Sequence, residues 1–180
     1  MTPRRVLALA LTTHAVLIAV AWAAADALDL PPRWGSPARD VLIGLAVAVV
    51  LGVTNHAVLV HAPENWIVNG VRAVYHETLV PLFVRISPVG IVTLGMAAGV
   101  AEEWLFRGIL QPLVGVALAS LLFGAAHIGG PHMLAFGVWA STMGLVMGGL
   151  AMATGGLVAP MVAHAVYDML ALEYIRRGHQ

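Results

Sequence analysis

Long apolar runs separated by short polar or glycine-rich stretches dominate the sequence. The first two, Val6–Ala25 and Val41–Val60, are each about 20 residues long, which is the length a helix needs to cross a bilayer. The first run follows two arginines, as a signal peptide would, but a signal peptide has only roughly 7–15 apolar residues and a clear cleavage site. Both runs are therefore predicted to be transmembrane helices.

The second half of the chain is more densely apolar and is divided by turn signals. Pro112 and Gly115, the stretch "GGPH" at 129–132 and the stretch "TGG" at 154–156 interrupt it. Four more spans are expected between these breaks: Val89–Val114, Val116–Ile128, Leu134–Ala153 and Leu157–Ile175. The pattern thus predicts an all-α, polytopic membrane helix bundle with about six transmembrane helices, of which the last four form a core.

The segment from Trp66 to Ile86 alternates apolar residues with too many polar ones for a lipid-facing helix, which is typical of an amphipathic helix at the membrane surface. We therefore divide the chain into residues 1–87, with two transmembrane helices and a cytosolic interfacial segment, and residues 88–180, the helix bundle. If the chain crosses the membrane six times, six arginines lie on the same side, and the positive-inside rule identifies that side as the cytosol. These are Arg4, Arg5, Arg72, Arg85, Arg176 and Arg177. A multi-pass protein of the cell membrane with both termini in the cytosol is expected.

Composition narrows the possible partners and chemistry. Hydrophobic residues make up 60% of the chain, charged residues 10%, and the mean hydropathy is +0.89, against roughly a quarter charged residues in a soluble domain. The lipid bilayer is the expected surrounding. A net charge of zero without a long basic run argues against nucleic acid as a partner. The absence of cysteine excludes a disulfide framework, a thiolate nucleophile and a cysteine-based metal site.

Three charged residues interrupt the third predicted span. Glu102, Glu103 and Arg107 lie in its middle part, where an ionised side chain costs from ~3 to more than 10 kcal/mol. Glu103 and Arg107 are four positions apart, so on a helix they share a face and can form an ion pair. Glu102 points about 100° away from Glu103. It therefore needs a partner from another span.

Candidate partners occur in the later spans, at His127, His164 and Asp168. At 1.5 Å per residue from the predicted turns, Glu102, His127 and His164 lie at compatible depths of roughly 14–21 Å, with Asp168 one turn deeper. These four groups are expected to converge in one cavity. By contrast, lone intramembrane histidines such as His14 and His56 are more often packing or hydrogen-bonding residues. The glycines Gly144, Gly148 and Gly149 more simply permit close helix packing.

Three blocks in this order carry a family resemblance: "EEWLFR" at Glu102–Arg107, "FGAAH" at Phe123–His127 and "HAVYD" at His164–Asp168. They resemble the motifs of the CPBP family, the intramembrane CAAX-prenyl and bacteriocin-processing proteases also called the Abi family. Those motifs are two glutamates followed by an arginine at the fourth position after the second, an aromatic residue four positions before a histidine, and a histidine four positions before Asn or Asp. The resemblance covers residues 88–175.

The resemblance implies hydrolysis of a peptide bond within the membrane by the four-helix core. It implies that Glu102 and His127 activate water and that His164 and Asp168 stabilise the oxyanion, with Glu103 and Arg107 in support. An ionised aspartate repels an oxyanion, so Asp168 must be protonated, act through His164, or help to hold a metal. Two histidines with carboxylates suit Zn²⁺, and a divalent metal such as zinc therefore stays an open cofactor, with the same four residues as candidate ligands.

A hydrophobic peptide or a lipidated protein is the expected substrate, and the individual bond is not encoded in these residues. Two other functions compete with a protease. A non-catalytic membrane scaffold or bacteriocin-immunity protein of the same fold would have no need to keep the three motifs together. A proton-coupled transporter also uses intramembrane Glu and His, but transporters often show inverted repeats and the sequence contains no convincing repeat.

Overall fold

All regular structure in the computed structural model of the protein is helical. The structure describes residues 2–178, and no strand occurs among them. In chain order the helices are α1 (Pro3–Ala27), α2 (Pro37–Val60), α3 (Trp66–Val74), α4 (Val80–Phe83), α5 (Pro88–Glu103), α6 (Gln111–Ala126), α7 (Leu134–Thr154) and α8 (Val158–Arg176). Two π-helical segments, Tyr75–Leu79 and Trp104–Leu110, join α3 to α4 and α5 to α6. The predicted all-α class is confirmed.

Four helical runs are long and apolar enough to cross a membrane: Pro3–Ala27, Pro37–Val60, Pro88–Ala126 and Pro131–Thr154. The third is 39 residues long and includes the turn expected between the third and fourth spans. Gly115 makes that turn with φ 81° and ψ 162°, a backbone conformation open mainly to glycine. Beyond it, residues 116–126 rise only about 16 Å, roughly half of the hydrocarbon core. Beyond this turn, helix α6 is therefore too short to cross the hydrocarbon core, and His127 directly follows its last residue.

Helix starts follow the polar and proline residues that precede the apolar runs. The Ser87 hydroxyl accepts a hydrogen bond from the Gly90 amide at 3.0 Å, and Pro88 occupies the first turn of α5. Asn65 caps α3 in the same way through the Val68 amide, also at 3.0 Å. Capping groups of this kind satisfy amides that have no partner within the helix. The sequence thus determines locally where α5 begins, and with it the distance along the helix to Glu102.

Close packing between α5 and α8 depends on small residues. A Cβ atom at Gly95 would lie 2.7 Å from the carbonyl oxygen of Ala165, and one at Gly99 would lie 2.7 Å from that of Met161. Such contacts leave no room for a side chain, so the two backbones approach as in membrane helix pairs with the small-xxx-small pattern. Helix α8 also packs on α2, and α6 packs on α7. This proximity brings the end of α5 next to the middle of α8.

Two of the three glycines assigned to packing in α7 have that role. A Cβ at Gly144 would lie 3.1 Å from Ser120 of α6, and one at Gly148 would lie 2.5 Å from the Val116 side chain. At Gly149 such a Cβ would have no atom within 4 Å apart from those of its chain neighbours and its own helix backbone. Gly149 therefore offers a natural control position for the packing argument.

The amino-terminal part of the chain packs against the bundle. Helix α1 packs on α5 and on the π-helical segment that follows it, and α3 packs on α7. The predicted interfacial segment is helical, and α3 buries Val68, Val71 and Val74 on one face. The Arg72 guanidinium donates to the carbonyls of Val58, Leu59 and Ala62 at the end of α2. Because α1 reaches α5, it can contribute side chains to the region around Glu102.

Candidate active site

Two adjacent carboxylates end α5, just before the π-helical segment Trp104–Leu110. Such segments are rare and occur frequently at functional sites. The Glu103 side chain is completely buried, whereas that of Glu102 is 15% exposed. Their side chains leave the helix in different directions, so each glutamate has its own set of partners.

Glu103 lies in a group that we call the sealed cluster, composed of Glu103, Arg107 and the Nδ1 side of His164. Arg107 Nη1 donates to Glu103 Oε1 at 2.9 Å, and Nη2 donates to the Gly144 carbonyl at 2.9 Å. The ion pair expected from the four-residue spacing is confirmed. The Arg107 guanidinium also lies 4.6 Å from the centroid of the Phe123 ring, a distance at which cation–π attraction is favourable.

His164 joins the sealed cluster through one ring nitrogen. Its Nδ1–H donates to Glu103 Oε1 at 2.6 Å, whereas its Nε2 lies 3.6 Å from Asp168 Oδ2, beyond hydrogen-bond distance. Glu103, and not Asp168, therefore orients this imidazole. Carboxylates play this orienting role for histidines in many functional sites. The arrangement leaves His164 Nε2 directed away from the sealed cluster.

His127 is oriented by its own helix. Its Nδ1 lies 2.7 Å from the carbonyl oxygen of Phe123, and because a carbonyl only accepts, Nδ1 carries the proton. The centroids of the two rings are 4.6 Å apart. Phe123 thus lies between Arg107 and His127, which explains why an aromatic residue four positions before the histidine is useful here. In its neutral form His127 presents a lone pair at Nε2.

The predicted convergence of Glu102, His127, His164 and Asp168 is present in the structure. Glu102 Oε2 lies 3.9 Å from His127 Nε2 and 4.0 Å from His164 Nε2. These separations are too long for direct hydrogen bonds, but one water molecule can bridge them. Within residues 2–178 this oxygen is buried and has no hydrogen-bond partner. We call Glu102, His127 and Asp168 the open cluster, since the side chains of His127 and Asp168 are each 30% exposed.

His14 of α1 is a site residue that sequence reasoning missed. Its Nε2 lies 3.1 Å from Glu102 Oε1, and its Nδ1 lies 2.7 Å from the Ala10 carbonyl oxygen. A hydrogen-bonding role is predicted for this histidine from the sequence, but the predicted partners of Glu102 all lie in later spans. Counting depth along α1 would have given a signal, because His14 is near the middle of a 25-residue helix. His56, classed with it, instead contacts the rings of His61 and Tyr174.

The candidate ligands do not fit a metal centre. Among residues 2–178 no group of three or more His, Asp or Glu side chains is arranged to hold a metal ion. Glu102 Oε2 lies 3.9 and 4.0 Å from the two imidazole nitrogens, whereas two ligands that each lie about 2 Å from a tetrahedral zinc ion are only about 3.3 Å apart. The donor geometry therefore supplies no basis for a step through a metal.

Fold and site together define a class: a polytopic helical membrane protein with ionisable residues grouped inside its bundle, where such residues mark function. Comparison with known proteins narrows the class. Residues 84–170 match the family model described as Rce1-like, type II CAAX prenyl endopeptidase Rce1-like. The family is one of CAAX-type intramembrane proteases, and the resemblance inferred from the three motifs is confirmed.

One curated relative covers most of the chain. The uncharacterized protein YpbD of Bacillus subtilis (strain 168) is 27% identical over 157 residues, which amount to 86% of this chain and 79% of the relative. No solved structure matches the chain significantly. The six site residues predicted from the sequence lie within the segment matched by the family model, whereas His14 lies outside it.

Proposed function

We propose that this protein is an intramembrane endopeptidase that hydrolyses a peptide bond in a hydrophobic, membrane-associated or CAAX-type substrate. The observation that carries the proposal is the position of Glu102 Oε2, within 4.0 Å of the Nε2 atoms of His127 and His164 inside a helix bundle. The match of residues 84–170 to the Rce1-like family model supports the reaction class.

In the proposed first step, Glu102 and His127 orient a water molecule. Glu102 Oε2 and the lone pair on His127 Nε2 accept its two protons in hydrogen bonds, which leaves the oxygen lone pair free to attack. Glu102 takes one proton as the oxygen bonds to the scissile carbonyl carbon. It returns that proton to the leaving nitrogen as the C–N bond breaks. Proton transfer by a positioned side chain contributes typically about 10²–10⁴-fold to a rate.

His164 is proposed to stabilise the oxyanion. Its Nδ1–H is held by Glu103, so Nε2 donates to an oxyanion when the ring is an imidazolium. The carboxylates of Glu103 and Asp168 flank the ring, at 2.6 and 3.6 Å from its two nitrogens, and favour that charged form electrostatically. Asp168 then acts through His164, and its own charge does not need to face the oxyanion. A donor of this kind is worth about 10²–10³-fold in other hydrolases.

The proposed setting is a multi-pass protein of the cell membrane with both termini in the cytosol. The distribution of arginines along the chain supports this orientation. In that orientation the open cluster faces the cytosolic half of the bundle, because α6 runs from the Gly115 turn at the outer side toward His127. A hydrophobic peptide or lipidated protein held in the inner leaflet would thus present its bond to Glu102.

The test is mass spectrometry of products from a mixed library of hydrophobic and prenylated peptides, incubated with the protein in lipid vesicles. Wild type is compared with Glu102→Gln and with Glu77→Gln, a matched control in which an exposed glutamate is changed. We expect products from wild type and Glu77→Gln and none from Glu102→Gln. Products at equal rates from all three proteins would contradict the proposal.

The same assay separates the alternatives that the sequence left open. Because the donor geometry does not fit a metal, hydrolysis is expected to continue in the presence of a chelator. Loss of activity with EDTA that zinc restores would instead assign a metalloprotease mechanism. Absence of any wild-type product, together with stable capture of one peptide or protein, would favour the non-catalytic scaffold or immunity protein.

A further inference from the structure

We infer that His14 is a further positioning residue of this site, which fixes one oxygen of Glu102 so that the other faces His127 and His164. The inference rests on the proposed function, in which Glu102 is the base. It concerns α1, which lies outside the segment matched by the family model. The residue would make the amino-terminal part of the chain a component of the active site.

The hydrogen bonds determine how His14 can hold Glu102. The Ala10 carbonyl can only accept, so His14 Nδ1 carries a proton at this 2.7 Å contact. The contact between His14 Nε2 and Glu102 Oε1, at 3.1 Å, then shares one further proton. Either an imidazolium donates to the carboxylate, or the carboxylic acid donates to the imidazole. A base must be free to take a proton, so the proposed function requires the first form, in which Oε1 accepts from the imidazolium and Oε2 is the oxygen available to water.

A carboxylate needs such a contact to keep a fixed orientation. The terminal torsion of a glutamate is broad and has no strong rotamer preference, so the α5 backbone alone does not decide which oxygen faces the histidines. Glu103 has two donors on one oxygen, from Arg107 and His164. Within the described chain, the hydrogen bond to Glu102 comes from His14, and Oε2 has none. His14 is thus the counterpart, for Glu102, of the donors that hold Glu103.

The test compares kcat and KM for wild type, His14→Leu and His14→Gln in lipid vesicles, with His56→Leu as the matched control histidine in a transmembrane helix. We expect His14→Leu to lower kcat about 10–100-fold, the loss typical of a misplaced catalytic group, with KM within about twofold. His14→Gln keeps an N–H that can reach Glu102 and should recover much of that loss. His56→Leu should match wild type in both constants.

Several outcomes would overturn the inference. If His14→Leu keeps the wild-type kcat while Glu102→Gln is inactive, His14 does not position the base, although the proposed function stands. If His14→Leu and His14→Gln are equally slow and both unfold at lower temperature than wild type, the role is structural only. If wild type itself shows no hydrolysis that depends on Glu102, the proposed function fails and the inference fails with it.

A spectroscopic measurement tests the contact without turnover. In histidine-labelled protein, the ¹⁵N resonances of His14 are identified by their loss in His14→Leu. Replacement of Glu102 by glutamine should shift the His14 Nε2 resonance, whereas replacement of Glu77 should not. An unchanged Nε2 resonance in Glu102→Gln would contradict the geometry on which the inference depends.

Discussion

The sealed cluster and the open cluster begin at neighbouring residues, Glu103 and Glu102, yet the two carboxylates differ in exposure and in hydrogen bonding. In the sealed cluster one oxygen of the fully buried Glu103 carboxylate accepts two hydrogen bonds, from Arg107 and His164. Arg107 Nη2 donates to the backbone carbonyl of Gly144. In both carboxylates the second oxygen, Oε2, has no hydrogen-bond partner among residues 2–178. In the open cluster the carboxylate of Glu102 is partly exposed, its Oε1 is bonded to His14, and its Oε2 lies 3.9 Å from His127 Nε2. The difference indicates that stability and chemistry are divided between two adjacent residues.

The clusters meet at His164, whose two nitrogens face different sides. Nδ1 is held in the sealed cluster, while Nε2 lies 4.0 Å from Glu102 Oε2. The buried hydrogen bonds of the sealed cluster can therefore fix the orientation of His164 toward the open cluster, as preorganisation requires. The comparison predicts that changes in the open cluster reduce turnover and leave the fold intact. Changes in the sealed cluster should reduce stability first.

The largest effect is expected for Glu102→Gln. Loss of the proposed base should lower the rate of hydrolysis by about 10²–10⁴-fold, while the melting temperature in detergent stays equal to that of wild type or rises, because active-site groups are often retained at the expense of stability. Turnover and thermal unfolding are measured on the same preparations. Glu103→Gln should instead lower the melting temperature more than it lowers turnover. Similar changes in both quantities for the two variants would contradict the division between the clusters.

The next effect in size is expected for Arg107→Ala. Removing one partner of a buried ion pair leaves an uncompensated charge on Glu103, which typically costs about 3–5 kcal/mol. The protein should accumulate at a lower level in the membrane and unfold at a lower temperature. Arg176→Ala, which removes an exposed partner of Glu173, is the control and should leave both quantities unchanged. A stable Arg107→Ala protein would show that the sealed cluster does not hold the fold.

A smaller loss is expected when the packing beneath both clusters is disturbed. Gly99→Leu would force α5 away from α8, since a Cβ at this position already meets the Met161 carbonyl oxygen at 2.7 Å. Overpacking of this kind costs typically about 1–3 kcal/mol, and the separation of Glu102 from His164 should also lower kcat. Gly149→Leu adds the same side chain where a Cβ would meet no atom of a neighbouring helix within 4 Å. Equal effects of the two substitutions on unfolding and turnover would contradict this account.

The smallest effect is expected for Asp168→Asn. The amide keeps a polar group near His164 Nε2 but removes the negative charge that is proposed to favour the imidazolium. Because the Oδ2 atom lies 3.6 Å away, we expect a fall in kcat of less than about tenfold, which corresponds to roughly 1.4 kcal/mol. Steady-state kinetics with an identified peptide measure it. A loss as large as that of Glu102→Gln would place Asp168 directly in the chemistry.

Rules of helix geometry and turn formation account for most of the site features that could be predicted from the sequence. The Glu103–Arg107 pair follows from four-residue spacing on a helix, and the turn at Gly115 follows from a breaker signal between apolar runs. The meeting of Glu102, His127 and His164 was predictable because depth along a helix is proportional to residue number. The hydrogen bond between His14 and Glu102 was not predicted, since depth alone does not say which helices are neighbours or which faces they turn toward each other.

A helical membrane bundle follows from the amino-acid sequence alone, because apolar runs of this length leave the backbone no other way to satisfy its hydrogen bonds in lipid. The residues of the three motifs and their order follow from it as well. The hydrogen-bond partners depend on the packing of the helices, which brings His14 to one oxygen of Glu102 and Glu103, rather than Asp168, to His164. The physical reason is that the mutual rotation of helices depends on how small residues such as Gly95 and Gly99 let backbones approach, and that depends on all the helices together.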